Sequence, residues 1–552
     1  MNGAELFIKT LADEGIEYLF SLPGTCLMDI YDAASKQDQV KVIVTRHEQV
    51  ATLMADGYSR VSGKPGVALV SRGPGSCNAA IGVYSAFGES SPVLLVVGSV
   101  SDNISHFEPF EILDFQTFFK PMTKWTHEIH DFKQIETVTR RALRDTQAGR
   151  PRPVVLGIPM QYSQMTEDYE LVEAPQAVTA KTVPSDSDLE KAINILRSAN
   201  KPIIIAGGGV ARSGSYQELA KLAEACGAPV VTTWLRNSVF PNEHRLYMGS
   251  LGPGAFTVSW EAVEQADVVF AVGTRFSEFS TKRFTLIKAH QKLIHLDVDV
   301  KEIHKVFAAD VGLVGDAKST LQKLNQALAA LAKADSAQWD GLIAKFNELR
   351  NAVPKFPREE GKITNADVVT IMDRILSKDS IVVIDAATFD PWLSRYYRFT
   401  EPNTFLGCSA GCMGFGFPAA MGAKLAEPSK PVVLAVGDGS FAMVMQDLAT
   451  AVRDRIGIVI IVTNNSTYGN IRERQRKDFN GRIIGSDLHN PEFGEVAESF
   501  GAWGKKADTP EQFRNALQEA LTVAESGRPA LINVSLDIND GMPHGSKPPV
   551  AR

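Results

Sequence analysis

Cysteine is scarce in this 552-residue chain, with five in all: Cys26, Cys77, Cys226, Cys408 and Cys412. None forms a CxxC pair and the count is odd, so no disulfide framework is expected and a reduced cytoplasm is the natural compartment. Long apolar runs are lacking too. The longest, Val93–Val97 and Ile456–Val462, are too short to span a bilayer and read as buried strands. The opening MNGAELFIKTLADEGIEYLF mixes charge with apolar residues at helical spacing and has no signal-peptide core. The formal net charge is −7 and no stretch is strongly basic, so neither a nucleic-acid surface nor an anionic-membrane surface is expected. The dinucleotide fingerprint is also missing, because GGGV at 207–210 continues as ARSG and does not complete GxGxxG.

The residues present are 44% apolar and 22% charged, with 43 glycines and 28 prolines to punctuate turns. At roughly 100–200 residues per domain, the length points to about three domains. Short apolar runs alternate with amphipathic helical segments from end to end. That rhythm predicts an α/β protein of three doubly wound domains, with mainly parallel sheets covered by helices on both faces. The domains fall at residues 1–165, 186–345 and 360–552. The polar stretch Gln164–Ser187 and the charged KFNELRNAVPKFPREEGK at 345–362 read as linkers. The first and third blocks share length and rhythm without a residue-level repeat.

The sharpest chemical signal is in the third block. The strand-like PVVLAV ends at Gly437-Asp438-Gly439-Ser440, ahead of the helical FAMVMQDLATAVRDR, and the strand-like IGIVIIVT ends at Asn464-Asn465. Ligands of doubly wound sheets bind beyond the carboxyl ends of the strands, so Asp438 and Asn465 are expected to meet at one sheet edge. A carboxylate, an amide oxygen and a nearby backbone carbonyl form the hard-oxygen set that Mg²⁺ takes together with water and phosphate. The glycines let the backbone approach a diphosphate, and a helix beginning at Ser440 offers free N–H groups. A lone Gly-Asp-Gly is more often a plain turn. A strand before each element and a helix between them favour the functional reading.

These residues resemble the diphosphate- and metal-binding motif of thiamine diphosphate enzymes. The resemblance implies that Asp438, the Asn465 side chain and the main-chain carbonyl of Thr467 hold Mg²⁺. It also places Gly437, Gly439, Ser440, Gly469, Asn470 and Ile471 against the cofactor. In VKVIVTRHEQVATLMADGYSRVSGKPGVALV, Glu48 follows a strand and opens a helix. Taken alone it is an ordinary first-turn acid, stabilised by the helix dipole. The segment is similar to the family stretch whose glutamate bonds N1′ of the aminopyrimidine ring. There a carboxyl group in a mostly apolar pocket favours the imino tautomer, whose nitrogen takes the thiazolium C2 proton. The stretch FLGCSAGCMGFGFPAAMGA at 405–423 resembles the family segment that bends the cofactor. That implies that the Gly411 carbonyl accepts from the 4′-amino group and that Met413 wedges between the rings, although a methionine there is equally simple core packing. The implied domain roles are pyrimidine-binding, central Rossmann-like and diphosphate-binding.

Within the family, VFAVGTRF at 269–276 resembles the acetolactate synthase branch. The implied activity is decarboxylation of a 2-oxo acid, with ligation of the acyl anion equivalent to an acceptor carbonyl or its release as aldehyde. There are departures from that branch. Arg474 stands where those synthases have an acceptor-selecting tryptophan, Thr25 where glycine is usual, and Arg72 where a small residue is usual. Arg72 and Arg474 suit a carboxylate, and each is as readily a surface arginine. Phe110-Glu111 lies in HFEPFEILDFQTFFKP, a loop that in this family faces the cofactor from the partner chain, and a similar pair occurs in the oxalyl-CoA decarboxylase branch. An acyl-CoA decarboxylase or lyase is therefore a second reading, and a catalytically silent cofactor-binding subunit a third. His47 reads as a packed or capping residue, and His106, His127 and His130 sit at no metal-ligand spacing. TRFSEFSTKRF at 274–284 departs from the FAD-binding pattern, so FAD is not expected. The family's cofactor lies between two chains, which implies a homodimer or homotetramer acting on small-molecule substrates.

Overall fold

The computed structural model describes residues 1–172, 180–329, 335–353, 362–385 and 388–543. Three six-stranded sheets follow one another along the chain. The first contains β1 (Tyr18–Ser21), β2 (Lys41–Val44), β3 (Gly66–Ser71), β4 (Val93–Ser99), β5 (Trp125–Glu128) and β6 (Val154–Pro159). The second contains β7 (Pro202–Ala206), β8 (Val230–Thr232), β9 (Tyr247–Ser250), β10 (Val268–Val272), β11 (Lys292–Asp297) and β12 (Val311–Val314). The third contains β13 (Ile381–Ile384), β14 (Phe405–Leu406), β15 (Val432–Gly437), β16 (Val459–Asn464), β17 (Trp503–Ala507) and β18 (Ala530–Ser535). All pairings between these strands are parallel.

The outer sheets have orders β2-β1-β3-β4-β6-β5 and β14-β13-β15-β16-β18-β17, which match strand for strand. The shared rhythm of the first and third blocks is therefore a shared topology. The middle sheet runs β12-β11-β10-β7-β8-β9, reversing direction between β7 and β10, as a Rossmann sheet does. Central strands such as β4 and β15 are apolar runs buried almost throughout, because helices cover both faces. Edge strands were less visible in the sequence. β5 (WTHE) is only half-buried along its length, and β17 (WGKKA) exposes two lysines.

Two expectations are corrected. The helix after β15 starts at Asp438, not Ser440, and ends at Phe441. A 3-10 turn at Met445–Asp447 and a short helix at Leu448–Arg453 follow it. The segment read as a linker from 345 begins inside the helix Asp340–Asn351, whose Ile343 and Phe346 are buried; 354–361 lie outside the described residues.

The outer domains meet through two helices, Glu48–Ser62 and Gly416–Ala426. A Cβ on Gly57 would lie 2.4 Å from the Ala419 carbonyl oxygen, and one on Gly422 would lie 2.2 Å from that of Met54. Only glycine permits this backbone-to-backbone approach. Around it Val50, Met54, Phe415, Phe417 and Met421 share one hydrophobic core. Among the described residues, no helix is long and apolar enough to cross a membrane.

Candidate functional site

β15 and β16 are neighbours in register, with Gly437 opposite Thr463, so their carboxyl ends deliver Asp438 and Asn465 to one sheet edge. Both side chains are buried, as is Thr467. Thr467 is held by its hydroxyl donating to the Ser486 carbonyl at 2.7 Å, while its own carbonyl takes no backbone donor among the described residues. Burial pushes the Asp438 carboxyl up from the ordinary carboxylate range; the Asn490 amide and the N–H groups of Gly439 and Ser466 act against that. No cationic side chain among the described residues pairs with Asp438. A buried carboxylate, an amide and an open carbonyl fit a hard dication. Glycines keep the surroundings narrow: a Cβ on Gly439 would lie 2.5 Å from the Tyr468 ring, and one on Gly469 would lie 3.2 Å from the Asn465 amide nitrogen. Gly469, Asn470 and Ile471 open a helix, Gly469–Asp478, that has no buried residue.

The sequence reading missed Asn490. Its amide donates to Asp438 Oδ2 at 2.6 Å and to Asn464 Oδ1 at 3.1 Å, tying the two strand ends together. It sits in the polar stretch LHNPEF, where no local pattern marks it out. Asp385, just past β13, was also missed; its carboxylate accepts the Gly416 N–H at 2.7 Å and seats the helix that follows the glycine-rich loop.

Glu48 is the first residue of its helix and is only 6% exposed. His47 is the N-cap, its Nδ1 accepting the Gln49 N–H at 3.2 Å, which is the capping role read from the sequence. Asn78 donates to Glu48 Oε2 at 3.0 Å, and a Cβ on Gly75 would come within 3.3 Å of Oε1. Neither neighbour had been singled out, since they come from a different helix, Arg72–Glu89. Among the described residues, no hydrogen bond or ion pair joins Glu48 to Asp438, Asn465 or Thr467. The glycine-rich loop does reach the helix start: a Cβ on Gly414 would lie 3.1 Å from Gln49 Nε2. In that loop Gly411 has φ +75° and is exposed, and Met413 is half-buried.

Four of the five substrate candidates meet at the end of the first sheet. The turn carrying Thr25 rests on Ser71, since a Cβ on Gly24 would lie 2.5 Å from Ser71 Cβ. Arg72 donates from its guanidinium to the Phe110 carbonyl at 3.2 Å, and Gly73 N–H donates to the Glu111 carbonyl at 2.9 Å. Arg72 and Glu111 have φ of 31° and 61°, left-handed backbone that non-glycine residues hold only under constraint. Phe110 is 78% exposed. Arg474 stands apart. It lies on the exposed helix Gly469–Asp478, 3.4 Å from Asp478, one turn along.

Between the middle domain, Glu89 of the first and Ser409 of the third, a cleft of about 660 Å³ opens where the middle sheet's order reverses. Gly208 and Gly209 after β7, Gly273 and Arg275 after β10, Arg212 and Arg236 line it. Arg236 is paired with Glu89, and Arg212 donates to the Ser91 hydroxyl at 3.0 Å, so these two guanidiniums tie the domains together around the cleft. All five cysteines are free thiols.

The three domains match three family models in the same order. Residues 1–135 match the N-terminal TPP-binding domain of thiamine pyrophosphate enzymes, 189–324 their central domain and 385–534 their C-terminal TPP-binding domain. Full-length relatives agree. A probable acetolactate synthase large subunit of Methanocaldococcus jannaschii is 34% identical over 98% of this chain and 93% of its own length. A probable acetolactate synthase large subunit of Methanococcus aeolicus is 33% identical, covering 99% and 94%. The acetolactate synthase isozyme 3 large subunit of Escherichia coli K12 is 30% identical, covering 97% and 95%.

Proposed function

The chain belongs to the thiamine pyrophosphate enzyme family, and from that premise we propose that it decarboxylates a 2-oxo acid and ligates the acyl fragment to an acceptor carbonyl, as an acetolactate synthase-like carboligase. The observation that carries this reading is the buried Asp438, set with Asn465 and the Thr467 carbonyl beyond β15 and β16. Similarity to acetolactate synthase large subunits favours it over the acyl-CoA reading. The presence of both Glu48 and the Asp438 set argues against a silent subunit.

Thiamine diphosphate, when bound, would supply a carbon nucleophile and an electron sink for decarboxylation. The protein's part is binding and proton control. Asp438, Asn465 and Thr467 hold Mg²⁺ against the diphosphate; Gly437, Gly439, Ser440, Gly469, Asn470 and Ile471 line it. The Gly411 carbonyl would accept from the 4′-amino group, and Met413 would wedge between the rings. Glu48, held by Asn78, exchanges a proton with the ring nitrogen N1′. Arg72, beside Thr25, Phe110 and Glu111, offers a guanidinium for the substrate carboxylate. Arg474 occupies the position that the resemblance ties to acceptor choice, on an exposed helix and paired with Asp478.

The family resemblance supports a site completed between two chains, hence a homodimer or homotetramer. Ile471, Phe479 and Ile484, exposed at 53%, 52% and 81% beside the Asp438 cluster, suit such an interface. A cytoplasmic location is in keeping with five free thiols. FAD forms no part of the proposal, given the departure at 274–284. Product analysis by NMR tests the activity. Protein with thiamine diphosphate and Mg²⁺ is offered pyruvate, alone and with an aldehyde. Acetolactate or a mixed hydroxyketone is expected, and loss of that product in Glu48→Gln with the fold intact ties it to this site. Failure to consume pyruvate or any other 2-oxo acid would overturn the reading.

A further inference from the structure

A second group of ligating side chains sits at the carboxyl edge of the first sheet, on the β5 side and not the β2 side that leads to Glu48. Asp102 lies just past β4, Glu128 ends β5, and His130 follows two residues later. One ligand atom from each lies within 4.8 Å of the others. The spacing of the histidines along the chain marks no metal site, and it is the topology that brings His130 to the two acids. β6 separates β4 from β5, and Asp102 is anchored over the end of β6. Its N–H donates to Gln161 Oε1 at 2.9 Å, and its Oδ2 accepts the Tyr162 hydroxyl at 2.9 Å. The same Oδ2 lies 3.4 Å from His130 Nδ1. His130 is itself steadied by its backbone N–H, which donates to Gln134 Oε1 at 3.0 Å.

Glu128 has no ion-pair partner among the described residues. Beside it Ser99, the last residue of β4 and 7% exposed, places its hydroxyl against the Glu128 carboxylate without a hydrogen bond of ordinary geometry. Two carboxylates and an imidazole converge with a buried hydroxyl, and among the described residues His130 is the one cationic side chain paired with either acid. Paired acids of this kind resist sharing one desolvated space unless a positive charge joins them.

We propose that Asp102, Glu128 and His130 form a site for a divalent transition-metal ion of the zinc class, with the Ser99 hydroxyl as an accessory donor. The imidazole selects for zinc-like ions over Mg²⁺, which prefers an all-oxygen shell. Two carboxylates neutralise the ion's charge. Asp102 is also the root of the loop that brings Phe110 and Glu111 to Arg72, so a bound ion would pin that root to the edge strand β5.

The test uses the full chain, stripped with EDTA and resaturated with thiamine diphosphate and excess Mg²⁺, so that the Asp438 site is filled. ZnCl₂ is titrated by calorimetry, and zinc is counted after desalting. One zinc per chain is expected. His130→Ala, at a mostly exposed position that does not threaten folding, and Glu128→Gln are each expected to weaken it by at least about 100-fold, and Ser99→Ala by about tenfold. Circular dichroism checks that each variant is folded. No zinc taken up by the wild type, or unchanged affinity in His130→Ala, overturns the proposal.

Discussion

Glu89 accepts two hydrogen bonds from Ser409, one from its backbone N–H and one from its hydroxyl, both at 2.5 Å. Glu89 ends the helix Arg72–Glu89 of the first domain, and Ser409 lies two residues before Gly411 in the third. Arg60 approaches the same carboxylate at 3.7 Å, and Arg236 of the middle domain is paired with it. Burial alone would raise the Glu89 carboxyl, but Arg236, Arg60 and Ser409 outweigh it and hold the pKa at about 2. One carboxylate thus joins three domains and sets the loop that carries Gly411 and Met413.

Removing that charge strands two guanidiniums in a buried space. Glu89→Gln is expected to cost about 3–5 kcal/mol of stability. The folded pKa lies below the ordinary value of 4.5, so the contribution is complete above that value and fades as pH falls toward 2. Urea unfolding at pH 7 and pH 3 checks this. The gap between wild type and variant should narrow at pH 3, and an equal gap at both would contradict the assignment.

Among the described residues Asn78 makes one side-chain hydrogen bond, to Glu48. Asn78→Ala removes the hydrogen bond that positions Glu48 Oε2, so kcat should fall by about tenfold, a fraction of the roughly 10²–10⁴ that general acid–base catalysis contributes. Because Asn78 is exposed, the urea midpoint should barely move. Steady-state kinetics and unfolding on the same sample separate the two effects.

The crossing at Gly57 leaves no room for a methyl group. Gly57→Ala sets a Cβ against the Ala419 carbonyl and is expected to cost about 1–3 kcal/mol, lowering Tm by about 2–4 °C per kcal/mol. Scanning calorimetry gives the shift. Gly63→Ala, at the end of the same helix with nothing within 4 Å of its Cβ, should cost less, since only its φ of +74° opposes the change.

Chelation tests the metal set. EDTA should abolish turnover and added Mg²⁺ restore it. Asp438→Ala is expected to raise the Kd for thiamine diphosphate by about 100-fold, and Asn490→Ala, acting through Asp438, by about tenfold. Fluorescence titration measures both, and equal affinity in Asp438→Ala would remove that residue from the site.

Much of this was legible in the amino-acid order, because the signals were local. Central strands such as β4 and β15 are buried on both faces and must be apolar throughout, so they stand out. A strand end, an acid and a helix start lie within a few residues at Asp438 and again at Glu48, and strand order in a doubly wound sheet places such points at its carboxyl edge. The half-buried edge strands β5 and β17 lack that apolar signature.

What only the tertiary structure decided depends on residues far apart in sequence. Asn78 reaches Glu48 from a neighbouring helix, Asn490 bridges Asp438 and Asn464 from a polar loop, and Glu89 meets Ser409 across a domain boundary. His130 joins Asp102 because β6 inserts between β4 and β5, an order no spacing along the chain encodes. Local sequence dictates which segments become strands and helices, since period and burial act over a few residues. Which side chains then face one another is set by packing, where glycine contacts such as Gly57 on Ala419 fix how close two elements come.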